Sequence, residues 1–136
     1  SRMASTPAFI STPIVGMADL DTGQTARTAG TSSNVVDVTT AAPTAGTRVL
    51  EVVVKSSGQP ADSVIVLWLH NGTTNHVFDE IDIGAPSAGS TTATAYRTNQ
   101  TYQNLVIPSG WKLQASVTVT PTSGKIKVYA LGGVLT

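Results

Sequence analysis
The sequence predicts an all-β protein: an antiparallel β-sandwich of about eight strands, with a jelly roll as the expected topology and an extended N-terminal arm. Three observations lead there. Apolar residues recur with a period of two, and no helical periodicity competes with it. Clusters of Gly, Pro, Asn and Ser interrupt these runs at strand-length spacing. The chain has no cysteine, so packing and backbone pairing must hold it together without disulfides. At 136 residues it has the size of one domain able to bury a core.

Eight strands are expected, over 33–40, 47–56, 63–70, 75–83, 91–97, 102–107, 111–120 and 125–131. Leu50, Val52 and Val54 alternate with Glu51, Val53 and Lys55, which gives the second strand one buried face. Residues 64–69 are apolar on both faces, so this strand should lie centrally with cover on both sides. Asn71-Gly72 then supplies a hairpin turn of the type that needs positive φ. In the next strand Val77, Ile81 and Ile83 should share one face and Phe78, Glu80 and Asp82 the other. The clearest alternation sets Trp111, Leu113, Ala115, Val117 and Val119 against Lys112, Gln114, Ser116, Thr118 and Thr120. Lys125 and Lys127 mark the wet face of the last strand.

Residues 1–30 are expected to be an extended arm ahead of a sandwich at 31–136. The stretch 4–30 is rich in Ser, Thr, Pro, Ala and Gly around one apolar patch, Phe9, Ile10, Ile14 and Val15. Pro7 and Pro13 favour extended backbone before them. Such a segment can lie along another chain as an added strand, or pack over its own sandwich.

Composition restricts the chemistry. Eight basic residues balance eight acidic ones, so no net field gathers nucleic acid or an anionic membrane. The run 64–69 is too short to span a bilayer, which takes about 20 residues, and no basic-then-apolar leader precedes it. His70 and His76 flank the hairpin turn near Asp79, Glu80 and Asp82, but no metal-ligand spacing is present, so no metal or cofactor is expected. No Gly-x-Ser-x-Gly elbow occurs, and Asp79 and Glu80 should point to opposite faces, so enzyme activity is not expected. Trp68 and Trp111 read as core, whereas Tyr96, Tyr102 and Tyr129 read as more exposed.

Three stretches carry a resemblance: 64–73 (VIVLWLHNGT), 78–83 (FDEIDI) and 105–116 (LVIPSGWKLQAS). With Pro13-Ile14-Val15-Gly16 near the start and the short apolar strand 130–135, they resemble small virion proteins of tailed bacteriophages, the head decoration or cement proteins. The resemblance implies a virion protein on the capsid surface that binds major capsid subunits and reinforces their contacts, working as a dimer or trimer. Phe9, Ile10, Ile14 and Val15 are then the expected partner-binding residues. The competing expectations are a tail-fibre or receptor-binding domain and a carbohydrate-binding sandwich.

Overall fold
The computed structural model describes residues 9–28, 34–84 and 86–136. Expectations that fall on residues 1–8, 29–33 and 85 lie outside the described residues. The described chain is all β: β1 (Ile10–Leu20), β2 (Val36–Asp37), β3 (Thr47–Ser56), β4 (Ser63–His70), β5 (Asn75–Ile83), β6 (Arg97–Ile107), β7 (Lys112–Val117) and β8 (Ile126–Leu135). They form two four-stranded antiparallel sheets, ordered β1-β8-β3-β6 and β2-β7-β4-β5. The fold class is therefore the predicted antiparallel sandwich.

Alternation builds the core between the sheets. Val49, Val52 and Val54 of β3 and Val128 and Ala130 of β8 meet Ile65 and Leu67 of β4 and Leu113, Ala115 and Val117 of β7. All are essentially inaccessible. Burying each of the larger side chains stabilises the fold by roughly 1.5–3 kcal/mol.

Strands β3, β4 and β5 occupy the residues expected of them. The expected strand 91–97 does not form, and β6 instead runs as one strand through 97–107. The 33–40 strand shrinks to two residues, with Val38 and Thr39 both donating to the Leu113 carbonyl. The hairpin at Asn71-Gly72 exists, but as a four-residue loop. Asn71 Oδ1 accepts from the Thr73 and Thr74 amides at 2.9 Å, and Gly72 takes a positive φ, of 97°. A bulge between Leu67 and Trp68 pairs Trp68 with Val77, which removes Val77 from the face of Ile81 and Ile83 and lets Phe78 pack on the core.

Two segments behave differently from their local pattern. Residues 10–20 are extended as expected, but they form β1, paired from Ile10↔Leu135 to Leu20↔Ile126 with β8 of the same chain. The next stretch, 21–28, is a strap over the outer face of the second sheet. The Gln24 amide donates to the Val117 carbonyl on β7 at 2.7 Å, and Arg27 ion-pairs with Glu80 on β5 at 2.8 Å. On β4, which lies between β7 and β5, Val66 and Trp68 face away from the core and are nonetheless fully buried. Gln114 and Ser116, expected to be wet, are buried on that same face, and Trp68 Nε1 donates to Ser116 Oγ at 2.9 Å.

Candidate docking surface
Val66, Trp68 and Ser116 on the second sheet's outer face are buried, whereas among the described residues the outer face of the first sheet is open, and register fixes its composition row by row. Residues directly opposite in an antiparallel ladder share a face. One row reads Pro13, Gly133, Arg48 and Val106 across β1, β8, β3 and β6. The next reads Val15, Leu131, Glu51 and Thr101, and the third Met17, Tyr129, Val53 and Asn99. A fourth reads Asp19, Lys127, Lys55 and Arg97. The β1–β8 half is therefore apolar and the β6 half polar. Val15 is 66% exposed and Met17 58%. Large apolar side chains this exposed and this contiguous make the face a candidate docking surface.

The edge beside this patch is also open. Among the described residues, β2 is two residues long, β5 carries a bulge with Asp79, Glu80 and Asp82, and β6 is mostly polar. Such features blunt a sheet edge. β1 is eleven residues long, with a register irregularity between Ile10 and Thr12, Pro13 as its one proline and Asp19 as its one charge, and it is regular from Pro13 to Leu20. A shallow groove of about 380 Å³ runs beside it, lined by Ile14 to Met17 and by Val38, Thr39 and Thr40.

Of the residues expected to bind a partner, Phe9 and Val15 are exposed, Phe9 at 65%, while Ile10 and Ile14 are half-buried. The Phe9 carbonyl accepts from the Thr136 amide, and Ile10 fills the space in front of Gly133. The other members of the patch, Met17, Val53, Tyr129 and Leu131, were not singled out as binding residues from the sequence. Met17 shares the alternation of Val15 and was legible in principle; the β8 and β3 members needed the register.

The charged end is ordered by one carboxylate. Asp19 accepts from Lys127 Nζ at 2.7 Å and lies 3.9 Å from Lys125 Nζ. The Lys127 hydrogen bond, helped by both lysine charges, outweighs burial and holds the Asp19 carboxyl below its ordinary value. The same bond raises Lys127.

The other candidate groups do not converge. Asp79 turns towards the first sheet, where Tyr102 Oη donates to it at 2.6 Å, while Glu80 turns out to Arg27. Burial, then the Asp79 bond, pushes the Tyr102 phenol upward. Tyr102 is only partly exposed, and its ring packs on Phe78 at 5.9 Å. His70 lies opposite Asn75 and His76 opposite Leu69, so the two imidazoles do not meet. Among the described residues no three His, Asp or Glu side chains are placed to hold a metal ion, and no helix is long and apolar enough to cross a membrane. Trp111 is half-buried against the core edge, and Trp68 is buried on the outer side of β4 rather than between the sheets.

The fold and this surface define a small antiparallel β-sandwich with one closed and one open sheet face. A chain in the acidic stable capsid structure of Helicobacter pylori bacteriophage KHP30 shares that fold, with a TM-score of 0.55 at 16% identity over 92% of this chain and 89% of that one. No protein-family model matches the sequence, and no curated protein matches it.

Proposed function
We propose that this protein is a bacteriophage capsid decoration, or cement, protein that docks on the outside of the head and reinforces contacts between major capsid subunits. The observation that carries this reading is the open β1 edge joined to the apolar half of the first sheet's outer face. An eleven-residue edge strand beside Val15, Met17, Tyr129 and Leu131 offers a second molecule both backbone pairing and apolar contact. The fold shared with a chain of a phage capsid supports the setting. The strand orders support reading the sandwich as a jelly roll, a fold used by viral capsid domains, because successive strands alternate between sheets except at the β4–β5 hairpin.

The mechanism is mass action. A domain that binds assembled shell and not free subunits stabilises the shell by RT ln(1 + [L]/Kd), about 2.7 kcal/mol per site at a hundredfold excess over Kd. Rigidity helps, because a sandwich held by ladder and core loses little freedom on docking. Co-sedimentation of the purified chain with heads assembled from the major capsid protein of the same genome tests the proposal. Saturable binding is expected; a chain left in the supernatant at all concentrations overturns it.

A further inference from the structure
Four of the chain's eight basic residues gather at one end of the open face, although along the sequence they are scattered. Lys127, Lys55 and Arg97 are direct cross-strand neighbours on β8, β3 and β6, and Lys125 stands beside Asp19 at the end of the row. Like charges placed directly opposite oppose sheet formation. Asp19 answers two of the four cations. Lys55 donates to the Ala95 carbonyl at 3.1 Å and Arg97 reaches Asn99 Oδ1 at 3.5 Å; among the described residues neither has a carboxylate partner. Both line a cavity of about 400 Å³ with Ser87, Thr94, Ala95 and Tyr96.

We infer that this row and cavity are a carboxylate-recognition site, and that the open face takes a protein segment whose apolar side chains are bordered by glutamates or aspartates. The apolar members cover Val15, Met17, Tyr129 and Leu131, and the acidic border falls on Lys55 and Arg97, one register row away. Charge complementarity of this kind fixes orientation and speeds encounter more than it adds affinity. The row spans only three strands, about 10 Å, and adjoins apolar rows. That suits a mixed protein surface and gives no continuous track for a phosphate backbone. The inference deepens the docking reading by naming the partner's chemistry, and it is tested without heads.

The probe is a fluorescently labelled peptide alternating glutamate and leucine, titrated with the purified chain. A lysine–leucine peptide, inorganic phosphate and a single-stranded oligonucleotide form the comparison arms. Selective binding of the acidic peptide is expected. It should weaken at least about tenfold between about 20 and about 200 mM salt, as the Debye length falls from roughly 20 to roughly 7 Å. Arg97→Glu combined with Lys125→Glu, which reverses two charges, should weaken it at least about tenfold more. Arg97→Gln, which neutralises one exposed charge, gives a milder loss in a chain whose fold is checked by circular dichroism. Equal binding of the lysine peptide, full competition by phosphate or oligonucleotide, or unchanged affinity in the variants would overturn the inference. Heads that bind while the acidic peptide does not would sink this inference and leave the docking proposal standing; the reverse result would do the opposite.

Discussion
Replacing Trp68 by Phe tests the strap that leaves only one sheet face open. The indole is fully buried on the outer side of β4, and its Nε1 donates to Ser116 Oγ at 2.9 Å, where Ser116 is itself fully buried. Phe removes the donor and orphans the serine hydroxyl, which costs roughly 1–3 kcal/mol. It also leaves a void of roughly 35 Å³, worth about 0.8 kcal/mol at about 24 cal/mol per Å³. The expected loss is therefore about 2–4 kcal/mol, or roughly 6–12 °C in Tm for a domain of this size. Urea denaturation followed by far-ultraviolet circular dichroism measures it, with an unchanged m-value showing that the fold is intact. Ser116→Ala should cost about 1 kcal/mol, and the double variant should fall short of the sum by at least about 0.5 kcal/mol because the two atoms share one bond. A loss below about 0.5 kcal/mol for Trp68→Phe would mean that the ring is solvent-exposed and that 21–28 does not cover the sheet.

Other perturbations reach the remaining claims. Val15→Asp with Met17→Asp should leave Tm within about 2 °C, since both side chains are mostly exposed, yet abolish binding to heads. Gly16→Ala should destabilise by about 1–3 kcal/mol in a thermal melt, because its Cβ would collide with the Val38 carbonyl and force β1 off the sheet. On acidification, Asp37 matters as the anchor of the two-residue β2. Burial opposes its ionisation, but the Gln114 and Lys112 hydrogen bonds outweigh burial and lower its pKa. Its contribution is thus present above the unfolded value of 3.8 and is lost as pH falls through the lower folded value. Asp37→Asn should flatten that acid limb in a series of urea midpoints. At the alkaline end Tyr102, raised by burial and by Asp79, contributes below its unfolded value of 10.0 and loses that contribution as pH rises beyond it. Tyr102→Phe should flatten that limb.

Strand positions were legible wherever one face met the core, because a period of two is imposed by burial: β3, β4 and β5 begin and end as expected. What the sequence hid was set by neighbours remote in the chain. β1 alternates in burial from Pro13 to Leu20, but its exposed set includes Val15 and Met17 and its inward set includes Gly16, so the period of two is not visible in the residue types. Gln114 and Ser116 look wet because the partners that bury them, Asp37, Asn75 and Trp68, are remote in the chain. The cationic row was invisible because Lys55, Arg97 and Lys127 meet only through the β3–β6 and β3–β8 registers. Of the four residues the sequence pointed to, Phe9, Ile10, Ile14 and Val15, only Val15 stands in the outer-face rows and Ile14 lines the groove, and the β8 and β3 members followed only from pairing.

Scanning calorimetry of assembled heads tests the proposal that the open face of this sandwich reinforces a capsid. Adding the chain should raise the temperature of head disruption in a saturable way, and the Val15→Asp, Met17→Asp variant should not. Heads that melt at the same temperature with and without the chain, or that are protected equally by the variant, would contradict it.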